Sequence, residues 1–282
     1  MTRLAELLRA GKAIAAPGVH DALTARIAAR AGHEALYLGG NAMALGLGKG
    51  QPFLTLTETV EITARVARAT ELPVLVDAGA GFGEHAHLDL AVRALEKAGA
   101  GGLHIDDQPY PKRAAYHRGR GNLVEPELMA ARLGAAIMAR QDRSFPIVAR
   151  TDALRVTGSL EATIARCRTY ASAGADALMV LDLGPDDAAS VREACPDTPL
   201  AWIGGVTPPV PSLAALDAAG FALACYPFNG FAALDTALAD LWQRLAETGG
   251  IEQPGETLAR ARADMIDLAN LRDAWEIEDR YG

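Results

Sequence analysis

The sequence predicts a (β/α)8 barrel, in which eight parallel strands close into a barrel inside a ring of helices. Short apolar runs recur along the chain and end in a charged residue, as at Asp77, Asp106 and Arg150. Parallel strands covered on both faces are apolar throughout, and such a barrel carries its site at the carboxyl ends of the strands. The length of 282 residues suits one barrel of this kind,.

A repeated signature supports this fold. The pattern Ala-Gly-x-x-(Ala/Gly)-Leu occurs at residues 31–36, 98–103 and 173–178, with a near copy at 219–223. Because glycine closes helices in the left-handed conformation, each copy indicates a helix end, a tight turn and a strand start. The other strands are an apolar run at residues 13–16 and three runs entered through Pro73, Pro146 and Pro199. This regular alternation predicts one domain over residues 1–282 rather than two,.

The segments between the strands have helical periodicity. Thr55 and Glu58 form the pattern of a capping box, and Ile62 and Val66 then fall on one helical face,. Cys167 lies on a similar face, which predicts a small core residue rather than a reactive thiol,. The final segments exceed what an eight-unit barrel needs, so we expect a C-terminal helical extension over about 231–282.

Composition argues against several classes of partner. The formal net charge of −8 disfavours nucleic acid and anionic membranes, because either would need a basic face,. The three cysteines lack metal-ligand spacing, so we expect neither a disulfide framework nor a structural zinc site,. No apolar run approaches about 20 residues, and residues 1–11 carry charges without a signal-peptide core, which predicts a cytoplasmic protein,.

The strand ends carry the candidate chemistry. Asp77 precedes a loop rich in glycine, which is typical of a carboxylate at a ligand-accessible turn,. His104 lies two residues before Asp106 and so shares its strand face,. It is either a donor that polarises a substrate or a core histidine bonded to an acid. Arg150 ends an otherwise apolar strand, where arginine has few structural reasons to stand, and is the clearest functional residue,.

Six motifs together resemble one family. They are Pro17-Gly18-Val19-His20-Asp21-Ala22, Tyr37-Leu38-Gly39-Gly40, Val76-Asp77-Ala78-Gly79-Ala80-Gly81-Phe82-Gly83, His104-Ile105-Asp106-Asp107-Gln108, Pro111-Lys112-Arg113 and Ala149-Arg150-Thr151-Asp152-Ala153. In kind and order they closely resemble the isocitrate lyase/phosphoenolpyruvate mutase superfamily over nearly the whole chain. The resemblance implies a TIM barrel whose C-terminal helix is swapped between subunits of a homotetramer, built as a dimer of dimers. It also implies Mg2+, a small carboxylate substrate and an enolate-like intermediate.

The resemblance assigns roles to individual residues. Asp77 and Asp106 correspond to metal ligands, and Arg150 to the group that binds the substrate carboxylate or enolate oxygen. His104 joins them as a catalytic candidate from its strand position. The remaining assignments lie on two loops. They are the substrate-binding backbone of Gly39, Gly40 and Asn41, and two catalytic candidates on the lid, Lys112 and His117.

Several positions depart from the family pattern. Its metal-binding Asp-Ala-Asp corresponds to Asp77-Ala78-Gly79, and its loop aspartate falls near Lys49, so two carboxylates are missing. The loop change disfavours ordinary phosphonate mutase chemistry. Ala114 replaces the lyase cysteine, which disfavours an ordinary isocitrate or methylisocitrate lyase because that reaction needs the thiol proton,. Leu181 replaces an acid or histidine near the end of strand six. Since Mg2+ often needs only one or two protein carboxylates, we still expect the ion at Asp77 and Asp106.

The loop after Asp77 leaves one question open. Glu84 or His85 could replace a lost metal ligand or act as a general base, and both could equally belong to a solvated helix start,. His87 lies two residues beyond His85 and would point elsewhere on a helix, so we assign it to the surface,.

Three hypotheses follow. The first is a carbon–carbon bond lyase, decarboxylase or hydrolase acting on a small 2-oxo or 2-hydroxy (di)carboxylate. The second is a C–P bond enzyme such as a phosphonopyruvate hydrolase or a mutase-like enzyme. The third is a non-catalytic descendant that binds a carboxylate metabolite. Substrate discrimination is expected in the loops at residues 41–52 and 110–122.

Overall fold

A computed structural model describes residues 1–119 and 121–282, without the His117 side chain. Eight parallel strands close into a barrel in chain order, which confirms the predicted (β/α)8 fold. Their bounds are β1 (Ile14–Val19), β2 (Leu36–Leu38), β3 (Val74–Asp77), β4 (Gly102–Asp106), β5 (Ile147–Thr151), β6 (Ala177–Leu181), β7 (Leu200–Ile203) and β8 (Phe221–Tyr226). Strand β8 pairs with β1 and closes the barrel.

Helices surround and extend this barrel. Their bounds are α1 (Arg3–Leu8), α2 (Ala22–Arg30), α3 (Gly40–Gly46), α4 (Leu56–Ala69), α5 (His85–Lys97), α6 (Pro126–Ala139), α7 (Ala153–Thr157), α8 (Leu160–Ser172), α9 (Pro185–Ala194), α10 (Leu213–Ala218), α11 (Asn229–Thr248), α12 (Gly255–Leu268) and α13 (Leu271–Tyr281). Short 3-10 helices cover Gln51–Phe53 and Ala114–Arg118. The predicted capping box at Thr55 and Glu58 begins α4.

The strands divide the core into two layers. Leu75 and Val148 belong to the cluster inside the barrel, whereas the alternate residues Val76 and Ile147 pack in the outer cluster with the helices. Cys167 is buried in that outer layer, as predicted. Because strand residues alternate between faces, every second residue after an interior position also faces the interior. This alternation carries polar residues at the strand ends inward above the packed centre.

Residues 231–282 form a second compact unit, separate from residues 1–230. Its helices expose large apolar side chains, among them Trp242, Met265 and Ile277. That one domain spans the entire chain stays a prediction, as does the exchange of a C-terminal helix between subunits. None of the helices in the described part of the chain combines the length and apolar character needed to cross a membrane.

Candidate active site

Three charged side chains meet at the carboxyl ends of neighbouring strands. Asp77 ends β3, Asp106 ends β4, and Arg150 lies one residue before the end of β5. The strand register pairs Asp106 with Arg150 and Asp77 with His104. All four side chains are buried. The sequence therefore assembles a compact charged group at one rim of the barrel.

Asp77 is held by three hydrogen-bond donors. Its Oδ2 accepts the Gly40 N–H at 3.0 Å and the Gln51 side-chain amide at 3.1 Å, while its Oδ1 accepts the Gly79 N–H at 2.8 Å. A Cβ at Gly40 would lie 2.5 Å from Gln51 Nε2, so glycine permits this close approach. Burial raises the pKa of Asp77, but nearby positive side chains and the Gly40 amide outweigh it and hold that pKa below its usual range,. Asp77 is therefore a fixed carboxylate anion.

Lys112 reaches the second carboxylate. Its Nζ donates to Asp106 Oδ2, and the pair is nearly excluded from water, with side-chain exposures of 10% for Lys112 and 0% for Asp106. Gly79 lies against this lysine, since a Cβ there would stand 3.3 Å from Lys112 Cε and 3.6 Å from Nζ. Among the described atoms, Asp106 Oδ1 has no hydrogen-bond partner.

His104 lies behind this group. Its Nε2 is 2.9 Å from the Tyr37 hydroxyl and 3.7 Å from Asp77 Oδ1, and its ring stacks on Tyr37. Burial lowers the pKa of His104 to about 4 despite the opposing charge of Asp77, so the ring is neutral near neutral pH,. This geometry fits a residue that positions Tyr37 and Asp77. The catalytic role expected for His104 stays a prediction.

Arg150 is fixed by a carboxylate and a phenol. Its Nε donates to Asp152 Oδ1 at 2.9 Å, and its Nη2 lies 3.3 Å from the Tyr116 hydroxyl. Tyr116 in turn donates to Asp152 Oδ2 at 2.9 Å. Burial alone would lower the pKa of Arg150, but Asp152 and the other anions around it raise that pKa well above its usual value. The guanidinium is thus permanently charged and held in one orientation.

The Asp107 carboxylate accepts four of the described hydrogen bonds, two of them from the two residues that follow Arg150. Its Oδ2 accepts the Thr151 hydroxyl at 2.6 Å, the Tyr170 hydroxyl at 2.9 Å and Arg166 Nη1 at 3.1 Å. Its Oδ1 accepts the Asp152 backbone N–H at 3.0 Å. One buried carboxylate therefore fixes the chain segment that carries Asp152.

A cavity of about 800 Å³ opens above these residues. Polar and charged side chains on its wall include Gln51, Asp77, Tyr116, Arg150, Arg155 and Asp182. Apolar side chains on the same wall include Leu45, Leu181, Trp202, Ile203, Val206 and Phe228. A concave site with a few convergent polar groups in a largely apolar lining suits a small organic ligand.

The structure separates the predicted site residues into groups. Gly39, Gly40 and Asn41 line the cavity, but the Gly40 N–H is bonded to Asp77 and so does not face a ligand as a free donor. Glu84 and His85 are exposed at the start of α5, which matches the solvated helix start left open above. Lys112 joins Asp106, as described. The His117 side chain lies outside the described residues, so its predicted lid role stays a prediction.

Sequence reasoning missed three contributors. Gln51 follows a loop and carries no sequence signal for its contact with Asp77, 26 residues away. Tyr116 lies in the motif that replaces the lyase cysteine, and its hydroxyl reaches Asp152. Asp152 follows Arg150 by two residues and could have been found from that spacing, because an acid beside a strand-end arginine is its natural partner,.

The sequence profile described as phosphoenolpyruvate phosphomutase matches residues 4–246. The chain is also 33% identical over 288 residues to 2,3-dimethylmalate lyase of Eubacterium barkeri, covering 99% of this chain and 97% of the relative. The chain belongs to this family, within the isocitrate lyase/phosphoenolpyruvate mutase superfamily.

Solved structures agree with this family fold. Oxaloacetate acetylhydrolase with the inhibitor 3,3-difluorooxalacetate matches with a TM-score of 0.88 at 26% identity, over 98% of this chain and 95% of that one. Phosphonopyruvate hydrolase with oxalate and Mg++ matches with a TM-score of 0.89 at 24% identity, over 100% and 99%. By their names, the 33% identical relative is a lyase of 2,3-dimethylmalate and the 26% identical structure is an acetylhydrolase of oxaloacetate.

The described donors do not fit the Mg2+ site that we expected at Asp77 and Asp106. Mg2+ demands near-octahedral oxygen ligands and accepts few distortions. Asp77 accepts three N–H groups and keeps about one lone pair, on Oδ1, while Asp106 offers only Oδ1, because the positive charge of Lys112 already binds its other oxygen,. Within the described residues, no three His, Cys, Asp or Glu side chains come together in a way that could hold a metal ion.

Proposed function

We propose that the protein is a carbon–carbon bond lyase, or a decarboxylase or hydrolase of the same chemistry, acting on a small 2-oxo or 2-hydroxy carboxylate. The observation that carries this proposal is the pair of Arg150 and Tyr116 on the cavity wall, both hydrogen-bonded to the buried Asp152. A fixed guanidinium binds a substrate carboxylate well and stabilises the negative charge of an enolate as it forms. Family membership supports an enzyme with this type of intermediate.

Tyr116 is the proposed proton donor. The position of the lyase cysteine holds Ala114, which has no proton to give. Tyr116 lines the cavity beside Arg150, and burial raises its pKa above the usual value for tyrosine. It therefore keeps its proton near neutral pH and delivers it to a strongly basic carbanion.

The reaction of a 2-hydroxy acid balances with these residues. The C2 hydroxyl proton passes to Oδ1 of Asp77, a carboxylate on the cavity wall, because this oxygen accepts a single described hydrogen bond, from the Gly79 N–H. The C2–C3 bond then breaks, C2 becomes a carbonyl carbon, and the electron pair forms an enolate. Tyr116 protonates the enolate carbon, and Arg150 stabilises the negative charge in between. For a 2-oxo acid that loses CO2, the enolate forms without the first step.

The cavity lining supports an alkyl-substituted substrate. Leu181, Trp202 and Ile203 form an apolar wall, and Leu181 stands where the family often carries an acid or histidine. A phosphonate group would place up to two negative charges against such a wall, where no compensating charge is present at these residues. The relative that cleaves 2,3-dimethylmalate supports the same substrate class.

The assembly and the location are proposed from the family resemblance. We propose a homo-oligomer, specifically a tetramer built as a dimer of dimers, in the cytoplasm. The exposed apolar side chains of residues 231–282 are consistent with a further contact surface,.

A substrate panel tests the proposed function. Purified full chain is incubated with alkylated malates, oxaloacetate and phosphonopyruvate, and products are followed by NMR and by phosphate release. We expect a carboxylic acid or CO2 together with a 2-oxo acid, and no phosphate. Arg150→Lys should lose this turnover, because lysine lacks the planar fork that Asp152 fixes,. Arg93→Lys, the same change at an exposed arginine of α5, is the matched control.

Two results would contradict the proposal. Phosphate released from phosphonopyruvate in preference to all C–C cleavage would favour the C–P enzyme. Saturable calorimetric binding of a panel compound without turnover would favour the non-catalytic carboxylate-binding protein.

A further inference from the structure

We propose that the ammonium group of Lys112 takes the place of a divalent cation between Asp77 and Asp106, and that this site does not bind Mg2+. The inference rests on the proposed function, since it concerns how the same site stabilises negative charge. It assigns to Lys112, already a catalytic candidate, the specific role of the cation of this site.

The first observation is the buried position of the Lys112 ammonium group. Its Nζ binds a fully buried carboxylate oxygen of Asp106, and its own side chain is only 10% exposed. A charge placed so far from water persists only with a partner and good geometry. Lys112 also lines a small chamber of about 30 Å³ that shares Gly40, Gln51 and Asp77 with the main cavity. Its charge therefore lies beside the carboxylate that faces the substrate.

The second observation is the glycine at position 79, which lies against Lys112. A side chain there would begin 3.3 Å from Lys112 Cε, so glycine leaves the space into which the lysine extends. The backbone has φ of +55° at Gly79, a conformation that aspartate tolerates better than most residues,. The lysine side chain therefore lies beside the space that an aspartate side chain at this position would need.

The third observation is that hydrogen bonds already use most of the acceptor capacity of Asp77. Gly40, Gln51 and Gly79 donate to its two oxygens, so Asp77 keeps only about one lone pair, on Oδ1, for any further partner,. Lys49 lies on the loop near the position of the missing aspartate and pairs with Glu58 at 2.6 Å. No additional carboxylate comes from that loop position.

The exchange has a chemical consequence. An ammonium group supplies one positive charge and up to three N–H donors, and it asks for no octahedral shell. It can donate to the C2 oxygen of a substrate bound against Asp77 while it keeps its bond to Asp106. Arg150 would then stabilise the carboxylate end of the same substrate.

Metal binding by the full chain tests the inference without using turnover. Mn2+ alone is titrated into the protein, and free Mn2+ is counted by electron paramagnetic resonance. We expect the wild-type chain to show no binding tighter than about 1 mM. The double variant Gly79→Asp/Lys112→Ala restores a carboxylate and removes the cation, and should bind Mn2+ at least about tenfold more tightly than the wild type. Lys97→Ala, an exposed lysine on α5, is the matched control.

A substitute variant and the possible outcomes separate metal binding from effects on folding and from the proposed function. If Lys112→Ala lowers the melting temperature too far, Gly79→Asp/Lys112→Gln keeps a hydrogen-bond donor to Asp106 and serves instead. One Mn2+ bound by the wild type with a micromolar Kd, and lost in Asp77→Asn, would overturn the inference. A chain that binds Mn2+ in this way and still cleaves its substrate would contradict the inference alone. A chain that binds no Mn2+ and turns over nothing would contradict only the proposed function.

Discussion

Replacing Asp107 by asparagine should destabilise the barrel far more than the same change at an exposed ion pair. The Asp107 carboxylate is fully buried and accepts bonds from Thr151, Tyr170, Arg166 and the Asp152 backbone. Burial raises the pKa of Asp107, and the hydrogen bonds, which favour the charged form, offset this only in part,. Asparagine has the same size but no charge. Its NH2 group would face N–H and O–H groups that now donate to the Asp107 carboxylate. Hydrogen bonds to charged groups contribute about 1.5–3 kcal/mol each, and breaking a buried ion pair costs about 3–5 kcal/mol.

The expected loss for Asp107→Asn is about 3 kcal/mol, because the hydroxyl groups can rotate and the Arg166 side chain keeps the Val124 carbonyl as a partner,. The control is Asp182→Asn, whose pair with Arg155 has side-chain exposures of 46% and 40% and should contribute about 0–1 kcal/mol,. Urea unfolding followed by both circular dichroism and fluorescence gives the two free energies of unfolding. Equal losses in the two variants would refute the argument that Asp107 anchors this rim.

Four further predictions concern the site and the surface. Asp77→Ala should leave less than about a tenth of the wild-type turnover, a barrier increase above about 1.4 kcal/mol; a more active variant would show that this carboxylate is not catalytic. Ala114→Cys should not create isocitrate lyase activity, measured as glyoxylate release, because Leu181 and Gly79 still alter the site around the restored thiol. Sedimentation should show an oligomer that is weakened when the residues after Gly255 are deleted, and an unchanged monomer would contradict this. The three cysteines should resist Ellman's reagent at about pH 8 until urea is added, because burial raises the pKa of each thiol,; fast labelling of the native chain would show that they are accessible.

The barrel and its charged rim follow from the sequence for a simple physical reason. A buried parallel strand must be apolar, so a charge within it can stand only where the strand meets the site. This reasoning places Asp77, Asp106 and Arg150 at neighbouring strand ends, as the structure has them. Four copies of the glycine signature and four further apolar runs together give eight strands, and eight strands alternating with helices predict the barrel,.

The contacts around those charges do not follow from the sequence pattern. Gln51 reaches Asp77 from a loop, and Lys112 reaches Asp106 from the segment after β4. Such contacts depend on loop conformations that periodicity does not encode. The same limit applies to Gly40, whose N–H we expected to face a substrate and which instead donates to Asp77. The donor set around the expected Mg2+ position could not be predicted for the same reason, because a list of ligands predicted from sequence omits the neighbours that bind the carboxylate oxygens.

The stability of the rim and its chemistry are coupled through Asp152. Asp107 holds the backbone N–H of Asp152, and the Asp152 carboxylate holds the Nε of Arg150. A guanidinium fixed along one edge loses little rotational freedom when a substrate anion arrives, so more of its electrostatic attraction appears as stabilisation of the transition state. A change at Asp107 should therefore lower turnover even under conditions where the variant is almost fully folded. Because the Arg150 charge itself persists, this loss should appear mainly in kcat, as expected when orientation rather than binding charge is lost.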